Sequence, residues 1–219
     1  MGLVEALGVG PGVTSVIGSG GKTSLLAALA RELPGTVVLT TTTHIMPFGG
    51  VPLVTSADAD DVRAALAGSR VVCVGAQGEK NGKLAAPSLG IDALAALADH
   101  VLVEADGAHR LPLKAHAAWE PVIPACSART VLVLGASGLG RPVRDVVHRP
   151  EIFCKLAGCA PEDNATPELV ARAANAEALA DVALVNQADA CPETARELSV
   201  LLAVPTFAGS LRAGTLSTP

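Results

Sequence analysis

A three-layer α/β fold, a mostly parallel sheet with helices on both faces, is predicted by three features of the sequence. Short segments rich in Val and Leu alternate with Ala/Leu-rich segments of helical spacing. The apolar runs VLVLG and VALVN show no in-out alternation, as expected of strands buried on both sides. A glycine-rich turn joins the first strand directly to a helix, a junction suited to holding phosphates.

Strands are expected at residues 13–17, 36–41, 70–75, 100–105, 130–135, 181–186 and 204–207, each closed by glycine or a polar cluster. Helices are expected at 23–33, 58–67, 91–99, 167–179 and 193–203. Two stretches break the alternation. Residues 77–84 carry Asn81-Gly82, which suits a tight turn and predicts a small hairpin or loop decorating the surface. Residues 107–128 contain Pro112, Pro121 and Pro124, which prevent a continuous helix, and a loop of this length points to function. Residues 1–219 are therefore read as a single domain carrying a Pro-rich functional loop at about 107–128.

Composition excludes several functions. Sixteen Lys and Arg against 21 Asp and Glu give a net charge of −5, which provides no broad positive surface for a nucleic-acid backbone. Three Phe, one Trp and no Tyr leave little for bases to stack on. Hydrophobic residues make up 50% of the chain, yet Gly, Pro or a charge interrupts each apolar run before the roughly 18 residues that span a bilayer. The N-terminus has Glu5 where a signal peptide would be apolar, so a cytoplasmic location is expected. The five Cys include no C-x-x-C pair and are expected to be buried, reduced thiols.

The strongest motif is Gly18-Ser19-Gly20-Gly21-Lys22-Thr23-Ser24 between the first strand and the first long helix. Glycines let successive N–H groups converge on a phosphate, Lys22 adds a mobile charge, and the Thr23 hydroxyl can ligate Mg²⁺. The helix dipole points its positive end at the same place. The loop is two residues shorter than the G-x-x-x-x-G-K spacing, since Val16 stands where that glycine would be, and it resembles the compact loop of the Mur ligases. A dinucleotide fingerprint fits less well, because Thr23 replaces the third small residue and no acid closes the second strand. The domain reads as P-loop NTPase-like, with Mg²⁺ and either ATP or GTP as ligands.

Glu104 and Asp106 end another apolar strand two residues apart, on one face of an extended segment. With Lys22 they are the candidate catalytic residues, and Thr23 and Glu104 are the candidate Mg²⁺ ligands. Thr41, Thr42 and Thr43 close the second strand, where a γ-phosphate or second substrate would lie, although Thr is also a good strand former. Asn186-Gln187-Ala188-Asp189 resembles the N-K-x-D base-recognition element of GTP-binding proteins, with Gln187 in place of Lys. Gly209 and Ser210, at the end of the next strand, complete the candidate base site; by physics alone the run is also compatible with a turn and helix cap.

Taken in order, GSGGKTS, TTTTHI, VLVEADGAHRLPLKAHAAWEPVIP, VHRPEIF, LVNQAD and FAGSL resemble the selenium-dependent hydroxylase accessory protein family, the YqeC-like proteins, over nearly the whole chain. The segment 101–124 is the most specific part, and Lys114 and Glu120 map to recurring family positions. Residues 165–180 depart from the Gly- and Lys-containing stretch of the family. The resemblance implies a P-loop protein assisting maturation of molybdenum hydroxylases, with the molybdenum cofactor or a hydroxylase subunit as partner. Arg110, Lys114, His116 and Glu120 then join Thr41–Thr43 as candidates for contact with an anionic second substrate, the Pro-rich loop folding over the nucleotide; the alternative is solvated cations on a rigid loop. His148-Arg149-Pro150 is either a switch element or the start of a helix. Three activities compete: a nucleotide-hydrolysing maturation factor, a kinase or ligase acting on a cofactor precursor, and a non-catalytic nucleotide-binding scaffold or sensor.

Overall fold

The computed structural model describes residues 1–78 and 82–218. A nine-stranded sheet runs through it, built from β1 (Gly12–Gly18), β2 (Val37–Thr41), β3 (Leu53–Val54), β4 (Val71–Val74), β5 (His100–Glu104), β6 (Ser127–Gly135), β7 (Val182–Asn186), β8 (Thr206–Ser210) and β9 (Thr215–Ser217). Their order is β9-β8-β7-β6-β1-β5-β2-β4-β3, and all neighbours are parallel except β8 with β9. The short β3 and the antiparallel β9 limit the open edges.

Helices α1 (Leu3–Leu7), α2 (Lys22–Glu32), α3 (Ala59–Gly68), α4 (Ile91–Ala95), α5 (Val143–Val146), α6 (Pro150–Ala157), α7 (Pro167–Glu177) and α8 (Pro192–Leu201) surround the sheet. Strand alternation sends Leu102 to one face and Val101 and Val103 to the other. The Leu102 face packs on Leu7 of α1 and on Leu25, Leu26 and Leu29 of α2. The opposite face meets Val62 of α3, Leu94 of α4, Phe153 of α6, Val170 of α7 and Leu198 of α8. Glu104 has the parity of Leu102, so β5 delivers it to the face where α2 begins. Helix starts follow local chemistry: Asp58 and Thr166 cap α3 and α7 with their side chains, and proline occupies the first turn of α6, α7 and α8.

Several expectations are corrected. The helix expected at 91–99 stops at Ala95, and Asp99 instead accepts hydrogen bonds from the N and Oγ1 of Thr36, at 2.7 and 2.8 Å, clamping the start of β2. The expected hairpin is present, Ala76–Gln77 pairing antiparallel with Leu84–Ala85, but it is more than surface decoration: Leu84–Ala85 also pairs with His44–Ile45, and Leu84 is buried while Gln77 and Lys83 stay exposed. Asn81 of its expected turn lies outside the described residues. The Pro-rich segment does not lie over the surface throughout, since Leu113–Lys114 pairs in parallel with Val147–His148 and Lys114, Ala115 and His116 are buried. His148-Arg149-Pro150 starts a helix, α6. Only Cys73 is a fully buried thiol; Cys126 is exposed and the other three are partly covered, all of them free. Among the described residues no helix is long and apolar enough to cross a membrane.

The core on the α2 face holds the glycine loop in place, so trimming it is expected to be costly. Leu25→Ala should lower unfolding free energy by about 2–5 kcal/mol, whereas Val200→Ala on the exposed side of α8 should change it by about 0.5 kcal/mol or less. Denaturant titration of both variants checks this, and equal losses would contradict the packing.

Candidate functional site

The chain leaves β1 through α2 for β2 on one side, while β6, β7 and β8 lie on the other. This divergence opens a crevice at the carboxyl ends of the strands, the usual ligand position in such sheets. The loop 18–24 occupies it, and its glycines are sterically required. Gly20 has φ 89°, and a Cβ there would collide with the backbone of Gly135 and come within 2.8 Å of the Pro112 carbonyl. Gly21 has φ 131°, and a Cβ would strike the Asn186 amide. Both conformations lie where side-chain-bearing residues are disfavoured. The Ser19 hydroxyl donates to the Leu111 carbonyl and Gly135 N–H to the Pro112 carbonyl, so the Pro-rich segment forms one wall of the loop.

At the start of α2 the Thr23 hydroxyl donates to Glu104 Oε2 at 2.9 Å. Lys22 Nζ donates to the Gly18 carbonyl at 2.7 Å, and lies 2.9 Å from Asp106 Oδ1 and 3.9 Å from Glu104 Oε1. The other oxygen of Asp106 accepts from Gly18 N–H at 2.8 Å and from His116 Nε2 at 2.7 Å, with Lys114 Nζ at 3.4 Å. His116 Nδ1 lies 2.8 Å from Glu177 Oε2, and its backbone N–H donates to Oε1 of the same residue at 2.6 Å. Lys114 also donates to the Gly107 carbonyl and to Glu120 Oε2, the latter at 2.9 Å, and Arg149 donates to that same oxygen at 3.0 and 3.2 Å while lying over the Trp119 ring. With His116 protonated, Lys22, Lys114, His116 and Arg149 balance Glu104, Asp106, Glu120 and Glu177.

These contacts set the protonation states. Burial opposes ionisation of Asp106, but His116, Lys22 and Lys114 outweigh it and hold the carboxyl at about 2. For His116, burial works against the charged form and the carboxylates of Asp106 and Glu177 overcome it, raising the imidazole above its usual value. Glu104 goes the other way, burial pushing it up despite Lys22 and Thr23. Burial also acts to raise Glu120, but Lys114 and Arg149 hold it below the ordinary carboxylate range.

Two cavities meet at the loop. One, of about 370 Å³, is lined by residues 19–24, Glu104 and the segment 108–112. The other, of about 850 Å³, is lined by Gly21, Thr23 and Ser24 together with Asn186, Gln187, Asp189 and Ser210. Phosphate-loop, metal and base candidates thus converge, with three qualifications. Asn186 spends its amide on the Gly20 carbonyl at 2.7 Å and on Leu211 N–H at 3.0 Å, stapling the glycine loop to the end of β8. Gln187 accepts from the Ser137 hydroxyl at 2.6 Å. Gly209 lines neither cavity; it lets β9 approach, a Cβ there colliding with the Thr215 carbonyl.

The second-substrate candidates separate. Arg110 lines the smaller cavity, whereas Lys114, His116 and Glu120 are tied into the ion pairs behind Asp106. Thr41 donates to the Glu104 carbonyl and Thr42 to the Val122 carbonyl, and Thr43 N–H donates back to Thr41, so these threonines tether the strand end to its neighbours. Sequence reasoning missed Lys83, His109 and Ser137 on the first cavity, Arg31, Phe48 and Arg212 on the second, and Glu177 behind His116.

The buried pairs predict a two-sided pH dependence of stability. Asp106 is held below its ordinary 3.8, so its contribution is complete above that value and drains away as pH falls toward about 2. His116 is raised above 6.5, so its contribution is complete below that value and is lost as pH rises through the raised one. Asp106→Asn should cost about 3–5 kcal/mol at neutral pH by leaving Lys22 and Lys114 unbalanced. His116→Gln should be more destabilising at pH 6 than at pH 9. Urea unfolding across pH checks both, and a wild-type pH slope in His116→Gln would contradict the assignment.

Comparison with known proteins identifies the family. The family described as "YqeC protein" matches residues 14–151, from β1 through the start of α6. The "Uncharacterized protein YqeC" of Escherichia coli (strain K12) is 38% identical over 161 residues, which cover 69% of this chain and 63% of that protein. The chain therefore spans just under two thirds of the length of that relative. No solved structure matches. With the glycine loop, Glu104, Asp106 and the Pro-rich segment all inside the matched region, the chain belongs to the YqeC family.

Proposed function

We propose that this protein is a Mg²⁺-dependent, nucleotide-hydrolysing accessory factor that binds ATP or GTP and serves the maturation of selenium-dependent molybdenum hydroxylases. The observation that carries the nucleotide reading is the contact between Thr23 Oγ1 and Glu104 Oε2 at the mouth of the glycine loop. A hydroxyl and a carboxylate side by side at the start of a helix are the hard oxygen donors that Mg²⁺ prefers. Mg²⁺ bound there would neutralise charge on the β- and γ-phosphates.

The remaining roles fall to the chain's own groups. The loop N–H groups and Lys22 hold the phosphate oxygens. Glu104, made more basic by burial, orients the attacking water. Asp106 is fully buried and acts through Lys22, fixing the position of its ammonium group at the glycine loop. The base enters the larger cavity, where the Asp189 carboxylate accepts N–H groups from its edge and Arg31 and Arg212 supply further donors. Docking on a hydroxylase subunit or its cofactor follows from the family resemblance, and hydrolysis supplies the conformational step.

Calorimetry with ATP and GTP, with and without Mg²⁺, tests the first part. Lys22→Ala should weaken triphosphate binding at least 100-fold, and Glu104→Gln should retain binding while hydrolysis falls at least tenfold. Unchanged affinity in Lys22→Ala would overturn the nucleotide reading. A strain lacking the protein should lose selenium-dependent hydroxylase activity, with restoration by the wild type and none by Lys22→Ala.

A further inference from the structure

The smaller cavity carries basic side chains beyond that of the glycine loop. Lys83, His44, His109 and Arg110 line it, and Glu104 is its acidic lining residue among the described residues. None of these four is in an ion pair among the described residues, in contrast to Lys22, Lys114, His116 and Arg149. They also lie away from the base, since none lines the larger cavity.

The backbone that presents two of them is unusual. His109 (φ 47°) and Arg110 (φ 63°) are consecutive residues in the left-handed region. Non-glycine residues are disfavoured there and persist only where surroundings enforce them. The enforcement is visible: Leu111 N–H donates to the Ala108 carbonyl, the Ser19 hydroxyl to the Leu111 carbonyl, and Lys114 to the Gly107 carbonyl. The His109 ring stacks on His148 at 4.5 Å. Lys83 and His44 arrive independently, on or beside the small three-stranded sheet of His44–Ile45, Ala76–Gln77 and Leu84–Ala85. Two separate elements therefore turn positive side chains onto one cavity, next to the loop that holds phosphate in the reading above.

We infer that this end of the cavity binds a second, phosphorylated small molecule, gripped by Lys83, Arg110, His44 and His109 beside the terminal phosphate of the nucleotide. The inference deepens the nucleotide reading and rests on it for the identity of the neighbour. The cation pocket itself is tested separately.

Wild-type protein saturated with Mg²⁺ and a non-hydrolysable triphosphate analogue is titrated with glycerol 3-phosphate, with glycerol as the uncharged control. Glycerol 3-phosphate should bind and glycerol should not. The double variant Lys83→Ala/Arg110→Ala should weaken glycerol 3-phosphate at least tenfold while analogue affinity changes less than twofold. Both residues are exposed, so an unchanged melting temperature is expected and serves as the folding check; Lys83→Gln/Arg110→Gln is the second variant. Failure of wild type to bind glycerol 3-phosphate, an undiminished affinity in the variants, or an equal loss of analogue binding would overturn the second site. If wild type takes no triphosphate, the nucleotide reading fails, and the same titration on ligand-free protein decides the anion pocket by the same variant comparison.

Discussion

The structure of the site depends on one fully buried carboxylate, that of Asp106. It is bonded to the Gly18 N–H, which ends β1, and it meets Lys22, the first residue of α2, as well as Lys114 and His116 from the Pro-rich segment. Taking an isolated carboxylate out of water costs several kcal/mol, so burial is tolerable only because these partners converge on it. Each partner is in turn fixed by another group: His116 by Glu177 at the end of α7, and Lys114 by Glu120, which Arg149 also holds. The glycine loop is thus anchored from behind by a chain of charges that reaches helices on the far face of the sheet.

The paired and the unpaired cations have different tasks. Lys114, His116 and Arg149 are neutralised within the protein behind Asp106 and Glu120, whereas Lys22, paired with Asp106, also lines the smaller cavity. Arg110 and Lys83, with the imidazoles of His44 and His109, line the smaller cavity outside any ion pair among the described residues. In a chain with a net charge of −5, an anion site has to be made by local geometry rather than by overall charge.

Much of this was legible in the sequence because it is local. A strand, the run GSGGKTS and a helical segment specify the loop, and the period-two alternation of β5 places Glu104 on the face of α2. The parallel sheet follows from continuous apolar strands separated by helical segments. What escaped is non-local. Nothing near Glu177 marks it as the partner of a histidine 61 residues earlier, and Lys83 sits in a segment whose turn chemistry suggests only a surface hairpin. The charges of the Pro-rich segment look like those of an exposed loop, because prolines report the absence of helix and say nothing of burial. Asn186 resembled a base contact, and only the packing reveals that both ends of its amide are engaged in holding the loop to β8.

The most direct test of the central claim, that Asp106 holds the glycine loop ready for a triphosphate before ligand arrives, is a crystal structure of the protein with Mg²⁺ and a non-hydrolysable ATP or GTP analogue. The account predicts the terminal phosphates within loop 18–24, the metal on Thr23 and Glu104, the base beside Asp189, and the Gly18–Asp106 bond intact with the loop backbone unchanged. Phosphates bound elsewhere, or a loop that releases Asp106 and refolds around the ligand, would contradict it.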